Sequence, residues 1–460
     1  MQKIPTAMAS VKLPVNSEDR CSSPCSTMEI PVGRLLSVGT RRASSITSLR
    51  ALPFSSIDSV TLRARSRRAL ASVVAAQFFS SLADNALLIV AIGLLMQRHA
   101  PGWMTPALRL FFYLSYVLLA AFAGAVADAA PKGRVLMATN LVKLGGCALL
   151  LWHVQPLVAY ALVGLGAAAY SPAKYGILPE LMPRDELVAA NGWIEAGTVL
   201  SILLGVALGS TLVDRGLALP AIGAMYLLAA ACTLAIPHNP ARDRAALAHP
   251  GRLLRDFGRS LMLLWRDVDA RISLAVTSLF WAASATLQFL VLRWAAERLG
   301  LALSQGALLQ IAVAIGMAGG AMGASRWFPL ERALRALPLG IALGAMVLLM
   351  TLVTQPAIAA ALLVVIGALA GLLLVPMNAL LQSRGLLRTN PGQSIAVQNF
   401  NESLASLAML GMYGALIYFE APLLPTLAGF GGFLVLAMGG IFVWSRRLRP
   451  ARDALASQNV

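Results

Sequence analysis

Residues 356–377 read PAIAAALLVVIGALAGLLLVPM, a run with no charged side chain. As a helix such a run is ~33 Å long, enough to cross the ~30 Å hydrocarbon core of a bilayer. A membrane-spanning strand would instead show ~10 residues of alternating polarity. Working outward, comparable apolar runs recur on both sides of this one. Twelve spans are expected, near 69–96, 106–127, 134–153, 156–175, 190–212, 219–236, 272–294, 304–324, 336–354, 356–377, 393–418 and 423–445. Composition agrees: of 460 residues 58% are hydrophobic and only 12% charged, with a mean hydropathy of +0.74. Soluble domains carry ~25% charged residues, so a water-soluble enzyme of this size is excluded and an all-α membrane protein is expected.

The net charge of +17 raises the question of nucleic acid, and the positions of the charges answer it. On one side of the expected spans lie 23 Lys and Arg residues, among them Arg67, Arg68, Lys132, Arg134, Arg184 and the seven arginines of 242–271. The opposite loops hold Arg98, Arg215 and Arg298. This bias is a topology signal, placing both termini and the 237–271 loop in the cytoplasm of a multi-pass membrane protein. It also favours contact with anionic membrane lipids, and no nucleic-acid partner is expected.

Residues 1–65 are rich in Ser, Arg and Pro and read as a disordered extension. A transit peptide shares that composition, and a start at Met28 is an alternative. Cys21 and Cys25 lack companion histidines, and Cys147 and Cys232 fall within spans, so no metal site or disulfide framework is expected. The spans divide into an N-terminal half, 69–236, and a C-terminal half, 272–447. Between them is the basic loop 237–271, where Pro237, Pro240 and Pro250 are read as interrupting helix continuation, and 448–460 is a cytoplasmic tail.

Two six-span halves are a transporter layout, and one local motif agrees. Between spans 2 and 3 the chain reads Gly124-x3-Asp128-x3-Lys132-Gly133-Arg134. The glycine allows close helix approach, and Asp128 is placed to pair with basic residues across a cytoplasmic gate. This resembles the loop motif of major facilitators, with a decayed echo at Gly320 and Ala324. Four further strings narrow the resemblance: Ala76–Leu88 (AQFFSSLADNALL), Gly166–Leu181 (GAAAYSPAKYGILPEL), Val375–Gln382 (VPMNALLQ) and Ala396–Glu402 (AVQNFNE). Together, over residues 70–447, they resemble the bacterial lysophospholipid transporter family. That resemblance implies facilitated movement of lysophospholipid, chiefly lysophosphatidylethanolamine, to the inner leaflet. It also implies reacylation there by an acyltransferase/acyl-carrier-protein synthetase, expected here as a separate polypeptide.

The residues allow a chemical reading of their own. Ionisable groups within spans are costly and therefore candidates for function. Binding a lysophospholipid headgroup needs a cation for the phosphate and, for ethanolamine, an anion for the ammonium. Lys174 is the expected phosphate partner, the alternative being a side chain that snorkels to the membrane surface. Asp84, near mid-membrane with Asn85 beside it, is read as a ligand for ammonium, a proton or possible sodium, or else as a structural partner of Lys143 or Lys174. Gln398, Asn399 and Glu402 begin span 11 as a polar cluster, with 398 and 402 on one face. They line a cavity or hydrogen-bond between helices. Glu195 is a gate or a surface charge, and Asp128, Lys132, Arg134 and Lys143 are expected to gate or to pair structurally.

Gln288 stands where members of the family carry arginine, a departure that bears on headgroup selectivity. The pairs Gly205/Gly209 and Gly319/Gly323 have the spacing of close helix packing. No Walker loop, zinc-ligand spacing or nucleophile elbow is present, so neither enzyme chemistry nor a cofactor is expected. The competing class is a major facilitator that exports drugs or small metabolites.

Overall fold

The computed structural model describes residues 54–101, 104–213, 217–237, 240, 250–301 and 303–448, and its described elements are all helical. Before the central loop come α1 (Phe54–Gln97), α2 (Met104–Leu118), α3 (Ala120–Ala129), α4 (Lys132–Leu151), α5 (Pro156–Leu181), α6 (Leu187–Val213) and α7 (Ala218–Thr233). The loop holds α8 (Pro250–Arg266). After it come α9 (Val268–Leu299), α10 (Leu303–Trp327), a 3₁₀ turn (Leu330–Ala336), α11 (Leu337–Leu349), α12 (Pro356–Arg388), α13 (Pro391–Tyr418) and α14 (Leu423–Arg447). Cys21, Cys25, Met28 and nearly all of the N-terminal extension lie outside the described residues. α1 begins at Phe54, earlier than an extension ending at residue 65 would allow.

Every expected span coincides with a helix, and α2 and α3 share one. Nine described helices are long and apolar enough to cross a membrane, and a tenth span forms if α2 and α3 are joined across their 63° bend. Of the rest, α7 has only 16 residues, and α13 carries its polar side chains in its first half.

Close packing ties the helices together where glycines face backbone. Side chains at Gly316 and Gly320 of α10 would strike Val364 and Ala368 of α12, and side chains at Gly367 and Gly371 would strike α10 in return. Gly205 and Gly209 bring α6 onto α1 at Leu82, Asn85 and Ala86, as their spacing suggests. The Gly319/Gly323 expectation fails. Gly319 faces nothing within 4 Å and Gly323 meets only Trp327 of its own helix, so the seam runs through the neighbouring register.

The central loop also differs from expectation. Pro250 occupies the first turn of α8, where its missing N–H costs nothing, and so starts a helix instead of breaking one. Phe257, Ser260 and Leu264 recur at helical spacing on the buried face of α8. Phe257 and Leu264 join Ala120 and Ala121 of α3 with Ala396 and Val397 of α13 in one apolar cluster, and the rings of Phe257 and Phe400 meet edge-on at 5.6 Å. α8 therefore braces helices from both sides of the loop. The end of the bundle that carries α8 and the α3–α4 and α12–α13 turns is here termed the basic end.

Candidate functional site

Three polar groupings are built into the apolar bundle. The first lies between α1, α4 and α7. Lys143, 2% exposed, donates to Asp84 Oδ2 at 2.7 Å and to Ser80 Oγ at 3.0 Å, and its ammonium stands over the Tyr170 ring at 4.7 Å. Tyr226 donates to the other Asp84 oxygen at 2.7 Å. Ser80 is in turn bonded to Asn140 at 2.7 Å. Both charges are satisfied, the arrangement that keeps a buried pair affordable. Of the readings open for Asp84, the geometry is that of a structural partner of Lys143. The possible sodium at Asp84 and Asn85 does not fit, because an ammonium already sits on the carboxylate. Asn85 turns its amide back to Ser81 O at 2.8 Å and packs against Gly205.

The second grouping joins α5, α6, α12 and α13. Tyr175 donates to Glu195 Oε1 at 2.5 Å, and Asn378 Nδ2 reaches the same oxygen at 3.4 Å. Gln398 Nε2 donates to Asn378 Oδ1 at 2.8 Å and to Glu402 Oε1 at 2.7 Å. A continuous chain of hydrogen bonds thus runs from α5 to α13. Glu195 is buried, so it is not a surface charge. Lys174 lies beside this chain, 7% exposed, with its ammonium 4.0 Å above the Tyr175 ring. It does not snorkel. Among the described residues it has no carboxylate within 4.0 Å and donates no hydrogen bond. One turn earlier on α5, Ser171 donates to Asn399 Oδ1 at 3.3 Å, while the buried Asn399 Nδ2 donor has no partner among the described residues. The arrangement offers an unpaired ammonium and an unpaired amide donor, with two carboxylates in the same network.

The third grouping closes the basic end. Asp128 is buried and accepts the backbone N–H groups of Gly392 and Gln393, both at 2.9 Å. A carboxylate at the first turn of α13 meets the free N–H groups and the positive end of the helix dipole. This corrects the expected pairing of Asp128 with basic residues across the gate. Among the described residues its only ion pair is with Lys132, four residues on in sequence at 3.5 Å, and Lys132 itself bonds Glu180 at 2.8 Å. Gly124 permits the approach, since a side chain there would strike Ala396 and Gln393. Arg134 is exposed and borders an apolar groove on α3–α5, outside the gate. Two contacts not anticipated from sequence complete the closure. Asn191 and Gln382 exchange reciprocal amide bonds at 2.8 and 2.7 Å, and Arg184 donates to Ser383 at 3.2 Å. Among the described residues, the hydrogen bonds between helices before and after α8 all fall within these second and third groupings.

Of the expected substrate-binding residues, Lys174, Gln398, Asn399 and Glu402 come together, with Glu195 added. Asp84 and Asn85 belong to the first grouping, where Asp84 is already paired with Lys143. Gln288 stands apart, at an apolar cavity of about 270 Å³ lined by Val276, Phe280, Leu287, Met317 and Leu373. The roles of Tyr175 and Tyr226 were not anticipated, because neither tyrosine is distinguishable from core before its carboxylate partner is known.

Comparison with known proteins agrees with this architecture. The family model of the major facilitator superfamily matches residues 73–410. A Citrobacter koseri protein named lysophospholipid transporter LplT is 43% identical over 383 residues, covering 83% of this chain and 96% of its own. A Yersinia pestis protein of the same name is 43% identical over 358 residues, covering 77% and 88%. Among solved structures, the transporter FucP in an outward conformation aligns with a TM-score of 0.65 at 14% identity, over 82% of this chain and 97% of its own. The human organic anion transporter MFSD10 aligns with a TM-score of 0.62 at 18% identity, over 82% and 99%. With the helical bundle, the loop motif at Gly124–Arg134 and a 43% identical relative in agreement, the chain belongs to the major facilitator superfamily and, within it, to the lysophospholipid transporter family.

Proposed function

We propose that the second grouping binds the headgroup of a lysophospholipid, chiefly lysophosphatidylethanolamine. On this reading the protein carries the lipid across the inner membrane to the leaflet at the basic end, read as cytoplasmic, where an acyltransferase reacylates it. The observation that carries the reading is Lys174, a buried ammonium with no carboxylate partner among the described residues. An unpaired buried cation is costly, and a substrate phosphate removes that cost. Asn399 Nδ2 supplies a second donor, and Glu195 and Glu402 supply anions for the ethanolamine ammonium.

The acyl chain has a place to go. Val276 lines the apolar cavity, and its neighbour Thr277 lies near Glu402, so the cavity begins beside the headgroup cluster. Closure at Asp128, Asn191 and Arg184 corresponds to the state in which release toward the basic end is blocked. The test is uptake of labelled lysophosphatidylethanolamine by proteoliposomes. Lys174→Ala is expected to raise the apparent substrate constant about tenfold to hundredfold, or to stop transport, while Lys174→Arg keeps part of the activity. Wild-type rate and constant in a well-folded Lys174→Ala protein overturn the reading, as does efflux of cationic dyes in place of lysophospholipid uptake.

A further inference from the structure

Outside the transport cluster, a groove of about 980 Å³ runs along the surface between α1, α6 and α10. Its walls are apolar, including Val74, Phe78, Trp193, Leu200 and Met322, and its lining holds two charges, Arg67 and Glu186. The register of α1 on α6 places these charges together. Val74 packs on Gly197, Gln77 donates to Thr198 at 2.9 Å, and Leu82 and Asn85 meet Gly205, so the two helices run parallel. Seven residues back from Val74 and Gly197, Arg67 is level with Ala190, four residues or ~6 Å from Glu186, which immediately precedes α6. The apolar spans begin at Ser66 and Leu187, so both charges lie at headgroup level at the basic end. Among the described residues neither side chain has a hydrogen bond or an ion pair.

Depth agrees with a lipid. From Arg67 to Phe79 the groove follows twelve residues of α1, ~18 Å, close to half of the ~30 Å hydrocarbon core. The groove therefore crosses one leaflet, with its charged mouth at the surface and its apolar walls toward the midplane. Trp193 stands on the wall half-exposed, an amphipathic ring suited to a membrane interface. Ala318 and Met322 belong to α10, so a molecule in the groove touches helices from both sides of the central loop.

We propose that this groove is a resident site for a zwitterionic phospholipid of the basic-end leaflet, with an ethanolamine headgroup. Arg67 takes the phosphate, Glu186 takes the ammonium and an acyl chain lies along α1 and α6. Ethanolamine is favoured over choline because its ammonium has three N–H donors for Glu186, whereas a quaternary ammonium has none. It is favoured over glycerol headgroups because those leave Glu186 facing net negative charge. The site does not depend on the transport reading, since it shares no residue with the Lys174 cluster.

The test is lipid retention by the full-length purified protein, measured by native mass spectrometry. The protein is first equilibrated with an equal mixture of phosphatidylethanolamine, phosphatidylcholine and phosphatidylglycerol. Wild type is expected to retain the ethanolamine lipid about tenfold over the other two, the scale of one charge-assisted contact. Arg67→Ala and Glu186→Gln should each erase most of that preference. The exchanged pair, Arg67→Glu with Glu186→Arg, should recover part of it, which a merely misfolded variant would not. Ala196→Trp, which fills the groove and leaves the charges in place, should lower retention of all three lipids. Equal retention of the three by wild type, or a preference untouched by Arg67→Ala and Glu186→Gln, means ordinary annular lipid and overturns the proposal.

Discussion

Three lysines are buried in the first half of the molecule, and two of them, Lys143 and Lys174, are held in opposite ways. Lys143 and Lys174 are 2% and 7% exposed, and each stands over a tyrosine ring. Lys143 has a carboxylate at 2.7 Å and a hydroxyl at 3.0 Å, and that carboxylate has its own tyrosine donor. Lys174 has the ring, with Glu195 acting on it only from beyond ion-pair distance. Burial therefore does not separate a structural charge from a binding one. The count of partners does, because a satisfied pair has little left to offer a ligand and an unsatisfied cation is stabilised by one.

The largest expected effect comes from breaking the satisfied pair. Asp84→Ala leaves the Lys143 ammonium buried and unpaired, a loss of ~3–5 kcal/mol. Thermal unfolding of the purified protein in detergent should show a clear fall in Tm. Removing both charges, as Asp84→Asn with Lys143→Met, should restore at least half of the fall. Lys174→Met should leave Tm near or above wild type, since it removes a buried cation that has no partner. If Asp84→Ala and Lys174→Met moved Tm alike, the contrast between the two lysines would be lost.

A middle-sized effect is expected at the basic end. Asp128→Asn keeps one acceptor but turns an amide N–H against the first turn of α13 and removes the charge that faces the helix dipole. A cysteine at Ala396, 1% exposed and opposite Gly124 of the other half, reports whether α3 and α13 part. Maleimide labelling of Ala396→Cys should quicken about tenfold when Asp128→Asn is added, as expected for loss of a charged hydrogen bond. An unchanged labelling rate would assign closure to Asn191, Gln382 and Arg184 instead.

The fold was largely legible because a membrane span is a property of one contiguous stretch. The run at 356–377 became the greater part of α12, and the loop motif fell at the α3–α4 turn, with Gly124 and Asp128 facing the other half. Partnership was less legible. Lys143 and Asp84 are 59 positions apart in sequence, so no local stretch shows that they pair. The polar run at 398–402 was readable as a shared helical face, and Gln398 and Glu402 do bond to each other. Helix packing registers were not, because Gly319/Gly323 and Gly316/Gly320 satisfy the same spacing and only the facing helix decides between them. The buried face of α8 was present in the spacing of Phe257 and Leu264, hidden by reading three prolines as breakers.

The smallest expected effect concerns Gln288, the position at which the sequence departs from the pattern its family resemblance implies. If Gln288 shared the headgroup site, Gln288→Arg would supply a second cation and recover part of the transport lost in Lys174→Ala. The structure separates the two. Gln288 lies eleven residues along α9 from Thr277, which lies near Glu402, a rise of ~16 Å. Its cavity is otherwise lined by apolar residues, Ser284 and Gln310, whose Nε2 donates to the Gln288 carbonyl at 3.0 Å. An arginine there reaches ~6–7 Å from its Cα, well short of Lys174's neighbourhood on this geometry. Gln288→Arg in the Lys174→Ala background should therefore leave lysophospholipid uptake by proteoliposomes unchanged. Alone, it should instead weaken transport by placing a charge in the cavity assigned to the acyl chain, by about 2–3 kcal/mol of burial cost if the arginine cannot reach water. Recovery of uptake in the double variant would bring Gln288 into the headgroup site and require a transport state in which α9 shifts toward α5.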